Sequence, residues 1–179
     1  MGDRELGTLQ RAVAYQRDET AYRRMFLYFH PPALRYCISI LQNEQLAEEA
    51  VSDVMMKLWL MRQHLASIKN IRIYIFSALK RKALDYRKQN SKYRMHVELE
   101  AESAIHYQSP EDAVIAAEAI GAITAAIDKL PPKCKEVFLL VRDLRCSYRE
   151  AATIMDISVN TVNRHVQEAV KHLRTHLDK

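Results

Sequence analysis

The sequence contains few of the residues that interrupt helices, with only three glycines and five prolines among 179 residues. Strong helix formers, above all Ala, Leu, Glu, Arg and Lys, are frequent instead. No apolar run approaches the roughly 18 residues needed to cross a bilayer, and the N-terminal residues lack the apolar core of a signal peptide. We therefore expect an all-α protein of the cytoplasm.

Cysteine is equally scarce, and its placement argues against cross-links. The three cysteines, Cys37, Cys134 and Cys146, lie far apart and form no CxxC pair. The seven histidines are scattered, and none has a cysteine or carboxylate at a spacing that stands out as a metal motif. The sequence also lacks a glycine-rich phosphate loop. We expect no disulfide framework, no metal, no cofactor and no enzymatic activity.

Positive charge is concentrated in two parts of the chain, and the net charge of the whole chain is +5. Residues 1–92 carry a net charge of +7, residues 93–112 one of −4, and residues 113–179 one of +2. Two basic segments separated by a short acidic one predict two small helical domains joined by a flexible linker, with these boundaries. The excess of positive charge indicates a polyanionic partner.

The stretch from Ser147 to Leu173 predicts a helix-turn-helix. Ser147 and Glu150 have the spacing of a capping box, which begins a helix. Asp156 tolerates the left-handed backbone of a turn, and Ser158 can cap the second helix. That helix has one apolar stripe, formed by Val162, Val166, Ala169, Val170 and Leu173. Its opposite face carries amide and cationic side chains suited to base edges and phosphates, although many helical hairpins expose such a face only to solvent.

The N-terminal half predicts a series of helices. A short leading helix is expected over residues 6–16, and Asp18 can cap a second helix that ends near Phe29. We expect the sequence His30-Pro31-Pro32 to break that helix, which would resume from Leu34 to Leu41. Asn43 can cap an amphipathic helix that reaches about Met61, with Trp59 in the core.

The most basic helix is expected from Ile71 to Gln89. Aromatic residues alternate there with lysines and arginines. This composition suits unstacked single-stranded nucleic acid, because phosphates attract cations and bases stack on aromatic rings. A solvated basic helix with its aromatic residues in the core is the alternative. Two further helices are expected, from Ser109 to about Leu130 and from Lys133 to about Arg142.

Together these segments resemble a bacterial RNA polymerase sigma factor of the extracytoplasmic-function (ECF) class. Residues 47–59, AEEAVSDVMMKLW, are similar to the family's core-polymerase-binding helix, and residues 74–88, YIFSALKRKALDYRK, to its promoter-melting and minus-10 segment. Residues 130–140 and 147–174 resemble the two parts of its sigma4 domain. The wording TVNRHV at 161–166 is similar to sigma factors common in Bacteroidetes. Ser52, Arg81 and Asp156 stand where the family usually has Gln, Asn and Gly.

The resemblance implies a transcription initiation factor that recognises promoters at two places, with core RNA polymerase, promoter DNA and an anti-sigma factor as partners. Contacts with duplex minus-35 DNA would come from Arg149, Asn160, Thr161, Asn163, Arg164, His165, Gln167 and Lys171. Contacts with the melted minus-10 strand would come from Arg72, Tyr74, Lys80, Arg81, Tyr86 and Arg87. Polymerase would be bound by Glu49, Asp53, Met56 and Lys57. The main alternative is a stand-alone helix-turn-helix regulator with an N-terminal sensing or dimerisation domain.

Overall fold

The computed structural model describes residues 1–94, 121 and 123–177, and its regular elements are helices throughout these residues. The N-terminal half contains α1 (Asp3–Arg11), a π-helical turn (Ala12–Gln16), α2 (Glu19–Leu41), α3 (Glu44–Leu60), α4 (Gln63–Ala66) and α5 (Ile71–Arg94). The C-terminal half contains a helical segment at 123–128, then α6 (Pro132–Arg142), α7 (Tyr148–Met155) and α8 (Val159–Leu177). The all-α prediction is confirmed. In the part of the chain described, no helix is both long and apolar enough to span a membrane.

Two predicted helix caps are present at the start of α2 and α3. The Asp18 carboxylate accepts a hydrogen bond from the backbone N–H of Ala21 at 3.0 Å. The Asn43 side chain accepts one from the backbone N–H of Leu46 at 2.9 Å. Each bond satisfies a backbone donor that has no partner within its helix, which is why the two helices begin at these residues.

The predicted break at His30-Pro31-Pro32 is wrong, because α2 runs through both prolines. Each proline lacks the N–H that would bond to the carbonyl four residues earlier, a loss of about 3 kcal/mol or more in a helix interior. The apolar face nevertheless continues at helical spacing on both sides, with Phe29 and Ala33 fully buried. Burial of each large apolar side chain contributes about 1.5–3 kcal/mol, so packing of α2 against its neighbours outweighs the missing bonds.

Other predicted boundaries shift by a few residues. The leading helix begins at Asp3 rather than residue 6, and α5 continues five residues past Gln89 to Arg94 because neither glycine nor proline interrupts it. Trp59 is only partly buried, with its ring 5.0 Å from that of Tyr22. Most of the linker predicted at 93–112, and the helix predicted from Ser109 as far as residue 120, lie outside the described residues.

The scarcity of glycine is visible at the helix ends. In the described ranges, every residue with positive φ is a residue other than glycine. These residues are Arg17, Gln42, Arg62, Arg145 and Asp156. A left-handed backbone costs a residue with a Cβ atom roughly 1–2 kcal/mol. The turns of this protein are therefore held by the packing of the helices that they connect.

One apolar core extends through both halves of the chain. Helices α2, α3 and α5 pack against one another, and α6 and α7 of the C-terminal half pack onto α2 and α5. Tyr36 and Phe76, both completely buried, meet edge to face with ring centroids 5.6 Å apart. Leu140 and Met155 from the C-terminal half belong to the same buried cluster. This packing fixes the helix-turn-helix against the N-terminal half.

Candidate nucleic-acid interface

The helix-turn-helix consists of α7, a turn and α8, and its local hydrogen bonds are those expected from the sequence. The Ser147 hydroxyl accepts from the backbone N–H of Glu150 at 3.2 Å, while the Glu150 carboxylate accepts from the backbone N–H of Ser147 at 2.8 Å. Asp156 adopts the left-handed conformation, with φ 56°. Ser158 accepts from the N–H of Thr161 at 3.1 Å and so begins α8. The predicted hairpin is confirmed.

Helix α8 separates apolar and polar residues onto opposite faces. Val162, Val166 and Ala169 are buried against the other helices of the C-terminal half. The predicted contact residues that are exposed on α8 are Asn160, Asn163, Arg164, Gln167 and Lys171. Amide and guanidinium groups can bond to base edges, and an ammonium can bond to phosphate. This surface therefore has the chemistry required for the major groove.

The remaining predicted residues of the hairpin differ in their surroundings. Arg149 is exposed in the first turn of α7. Thr161 is partly buried, and its hydroxyl shares a 2.8 Å hydrogen bond with that of Ser158. The side chain of His165 is only 16% exposed and lies 3.4 Å from the sulfur of Cys134. His165 thus contacts the domain interior, whereas the resemblance implied that it contacts minus-35 DNA.

The outer face of α3 is a second candidate surface. The four predicted residues Glu49, Asp53, Met56 and Lys57 are all exposed. Leu60, which the sequence analysis missed, is exposed to 64% and lies one turn beyond Met56, which is exposed to 57%. Two large apolar side chains at i and i+4 form a continuous strip on a helix. The signal for Leu60 in the sequence is its spacing of four residues from Met56, which places both side chains on one face of a helix.

Asp53 connects this face to α5. Its carboxylate forms an ion pair with Lys82 at 2.7 Å and accepts a hydrogen bond from the Tyr86 hydroxyl at 2.9 Å. The bond from Lys82, followed by that from Tyr86, lowers the pKa of Asp53 below its usual value. Asp53 thus joins the predicted polymerase-binding helix to the predicted minus-10 helix.

The basic face of α5 is partly occupied by contacts within the protein. Arg81 and Arg87 are exposed. Arg72, however, forms an ion pair with Asp3 at 2.7 Å and its side chain is only 13% exposed. The Tyr74 hydroxyl lies 3.3 Å from the sulfur of Met61. Four of the six predicted minus-10 residues, all except Arg81 and Arg87, thus have such contacts with other described residues.

Lys80 contacts the helix-turn-helix directly. Its ammonium group donates to the backbone carbonyls of Ile154 at 3.3 Å and Met155 at 2.5 Å, at the C-terminal end of α7. A cation is favourable at this end of a helix, where the carbonyls lack partners. Burial, followed by the nearby charge of Lys133, lowers the pKa of Lys80 below its usual value. A residue predicted to bind DNA is therefore engaged with the other half of the protein.

Three further contacts connect the halves. Asn70 donates to the Glu150 carboxylate at 2.7 Å, so that the capping box of α7 is tied to the start of α5. Arg35 of α2 forms an ion pair with Asp143 at 2.7 Å. The hydroxyl of Tyr36, a completely buried residue, lies 3.5 Å from the sulfur of Met155. The two halves are thus connected by buried apolar residues as well as by polar pairs.

Comparison with known proteins identifies both halves. The family model "Sigma-70 region 2" matches residues 25–93, and "Sigma-70, region 4" matches residues 120–173. The two models together span more than two thirds of the chain. The chain belongs to the sigma-70 family. It is a sigma factor, and a sigma factor acts in transcription initiation without being an enzyme.

The fold of this sigma factor is similar to two solved structures. The sigma factor RpoE, in complex with the anti-sigma factor NepR from Bartonella quintana, matches with a TM-score of 0.67 and 21% identity, covering 88% of this chain and 96% of that one. CnrH in complex with the cytosolic domain of CnrY matches with a TM-score of 0.60 and 18% identity, covering 97% of both chains. No curated protein matches the chain significantly.

The residues matched by the two family models coincide with groups of helices in the sigma factor. Region 2 spans most of α2 and all of α3 and α4, together with α5 up to residue 93, and therefore contains both the α3 face and the basic helix. Region 4 spans α6, α7 and most of α8, which form the helix-turn-helix. The presence of region 2 together with region 4 favours a sigma factor over the stand-alone regulator considered from sequence.

Proposed function

We propose that this sigma factor is of the ECF class and directs core RNA polymerase to promoters by two simultaneous DNA contacts. Region 4 binds the duplex minus-35 element through α8, and region 2 binds the separated minus-10 strand through α5. The observation that carries the proposal is the exposed polar face of α8, opposite a stripe whose residues Val162 and Val166 are buried. A recognition helix requires this division between a packed face and a readable one.

In this proposal, the role of each residue in the minus-35 surface is assigned from the exposure of its side chain. Arg164 reads a base edge as a bidentate donor, and the amides of Asn160, Asn163 and Gln167 bond to neighbouring bases. Lys171 and Arg149 bind phosphates, and Thr161 supports the start of α8 through its bond to Ser158. We leave His165 out of this surface, because its ring faces Cys134 and Glu168.

The minus-10 surface combines residues that are exposed with residues that must be released. Arg81 and Arg87 face solvent and bind the strand first. Arg72, Tyr74, Lys80 and Tyr86 complete the surface after their contacts within the protein are exchanged for contacts with phosphates and bases. For Lys80 this exchange requires separation of α5 from α7, because its ammonium is bonded to the end of α7.

Core polymerase binds the outer face of α3 in this proposal. Glu49, Asp53 and Lys57 provide charges around an apolar strip formed by Met56 and Leu60. Exposed apolar side chains surrounded by polar residues are typical of a protein interface. The apolar strip provides the surface that is buried on binding, and the charged residues orient the sigma factor on the polymerase.

The finer assignments belong to the same proposal. The domains have the boundaries 1–92, 93–112 and 113–179, the protein acts in the cytoplasm, and an anti-sigma factor regulates it. Both similar structures are complexes, and the partner of RpoE in one of them is the anti-sigma factor NepR. This similarity supports a partner of that kind. The sequence Thr161–Val166 supports a Bacteroidetes-type subclass.

A reconstitution experiment tests the polymerase surface. Leu60→Asp places a charge in the apolar strip and, since Leu60 is exposed, leaves the fold intact. We expect loss of co-elution with core polymerase and of promoter-dependent transcription, with an unchanged thermal unfolding curve. Gln63→Asp, an exposed change in α4 just beyond α3, is the matched control and should bind normally. Retention of polymerase binding by Leu60→Asp would refute the assignment of this face.

A further inference from the structure

Three potential metal ligands meet between α6 and α8, outside the surfaces described above. They are the thiol of Cys134 near the start of α6 and the side chains of His165 and Glu168 in α8, and their ligand atoms all lie within 4.8 Å of one another. Among the residues described by the structure, this is the one cluster of histidine, cysteine or acidic side chains that has such geometry. Neither promoter recognition nor polymerase binding accounts for it.

The cluster joins two separate elements. His165 and Glu168 are three residues apart in α8, so their side chains project from neighbouring turns on one face. Cys134 is supplied by α6 from the other side. The Sγ atom of Cys134 lies 3.4 Å from Nδ1 of His165 and 3.4 Å from Oε2 of Glu168. Nδ1 of His165 lies 3.9 Å from the same carboxylate oxygen.

These distances can be compared with those required by a tetrahedral zinc ion. Bond lengths of about 2.3 Å to sulfur and about 2.1 Å to nitrogen or oxygen place sulfur about 3.5–3.6 Å from the other two ligands, and place those two about 3.4 Å apart. The two contacts of Cys134 differ from these values by no more than about 0.2 Å. Only the separation of His165 and Glu168, at 3.9 Å, exceeds the ideal, by about 0.5 Å. Glu168 is half exposed and can move this far by rotating its side chain.

We propose that Cys134, His165 and Glu168 bind a zinc ion that clamps the recognition helix α8 to α6. Thiolate, imidazole and carboxylate are all zinc ligands, and a thiolate with an imidazole disfavours the hard cations Mg²⁺ and Ca²⁺. Three protein ligands leave a fourth tetrahedral position for water.

The surroundings of Cys134 suit such a site. Its side chain packs in a small apolar cluster with Leu130 and Ala169, where electrostatic attraction is screened less than in water. Without a metal, the neutral thiol of Cys134 donates to the Glu168 carboxylate. On binding, the thiol proton leaves to solvent and the metal cation takes its place between the same two atoms. Thiolate and carboxylate then balance the charge of the ion.

A cobalt titration of the full-length, untagged and reduced protein tests the proposal. Co²⁺ replaces zinc in such sites and reports tetrahedral geometry and thiolate ligation by its absorption. We expect one equivalent to bind with a thiolate-to-cobalt charge-transfer band, and Zn²⁺ to displace it. Cys134→Ser should abolish that band. His165→Gln and Glu168→Gln should each weaken binding by at least about tenfold, the loss that even outer partners of a metal site cause.

Matched variants distinguish the site from adventitious binding. His172→Gln removes another histidine of α8, and Cys146→Ala removes another buried cysteine, so both should bind cobalt as the unmodified protein does. Circular dichroism establishes that each variant is folded, and Glu168→Gln alters only a half-exposed side chain. The absence of a saturable cobalt spectrum would overturn the proposal. So would a charge-transfer band that survives Cys134→Ser, or unchanged affinity in both His165→Gln and Glu168→Gln.

Discussion

Lys80→Met should loosen the contact between regions 2 and 4 in the free protein. The substitution keeps most of the aliphatic side chain but removes the ammonium that donates to the carbonyls of Ile154 and Met155. Hydrogen bonds to a charged group contribute about 1.5–3 kcal/mol each. Lys80 is only partly buried, and the lowering of its pKa indicates that burial offsets part of this gain. After allowance for screening by solvent, we expect a loss of about 1 kcal/mol, which is roughly a fivefold shift towards separated regions.

Single-molecule energy transfer measures this shift. Dyes are attached to cysteines introduced at Gln45 in α3 and Thr153 in α7, which are both exposed, while the native cysteines are buried. Because the apolar contacts remain, the regions should separate only in part. The measurement is therefore made at a urea concentration where both populations are visible.

Lys82→Met provides the matched control for this experiment. It removes a lysine from the same helix, but Lys82 pairs with Asp53 within region 2 and not with α7. We call molecules closed when regions 2 and 4 are in contact and open when they are separated. We expect Lys82→Met to leave the ratio of closed to open molecules unchanged. Equal ratios in Lys80→Met and Lys82→Met would refute the conclusion that the Lys80 ammonium stabilises the closed arrangement.

Two further predictions concern single side chains. Arg164→Ala should weaken binding of the polymerase holoenzyme to minus-35 DNA by about 1–3 kcal/mol and relax the base preference at one or two positions. Lys171→Ala, which removes a phosphate contact, should weaken binding to all sequences alike. A footprint and an affinity unchanged by Arg164→Ala would exclude the assignment of Arg164 to the major groove. The carboxyl of Asp53, observed by NMR, should titrate below the usual pKa of an aspartate because Lys82 and Tyr86 donate to its charged form, and Lys82→Met should raise the midpoint. The stabilisation by this pair is present above the unfolded-state pKa of about 3.9 and is lost as the pH falls through the lower folded-state value. An ordinary midpoint in the unmodified protein would contradict the Asp53–Lys82 geometry.

Local structure could be predicted from sequence wherever neighbouring residues decide it. The caps at Asp18, Asn43 and Ser147 depend on a side chain and a backbone N–H three residues apart. The left-handed turn at Asp156 depends on one residue. Each of these interactions closes within a single turn of helix, so that the sequence pattern contains the whole interaction.

Interactions between distant parts of the chain could not be predicted from the sequence. The helix through Pro31 and Pro32 persists because residues far away in the chain cover its apolar face. Cys134 and His165 are 31 residues apart, and only the packing of α6 against α8 brings them together. The sequence did contain His165 and Glu168 at i and i+3, but the third ligand could be recognised only in the folded domain.

The closed arrangement and the proposed binding of the minus-10 strand use the same cation. In the closed protein, in which the two regions are in contact, the Lys80 ammonium is held at the end of α7 by the Ile154 and Met155 carbonyls. A DNA phosphate that replaces these carbonyls as its partner removes a contact that stabilises the closed protein. Capture of the strand by Lys80 therefore shifts the equilibrium towards the open protein by the difference between the binding free energies of the strand for the open and the closed protein. In the proposed function, separation of the regions also allows α8 to reach a minus-35 element at a distance set by polymerase. Variants that open the free protein should consequently need less DNA-binding energy to form the promoter complex, even where their own contact with DNA is weakened.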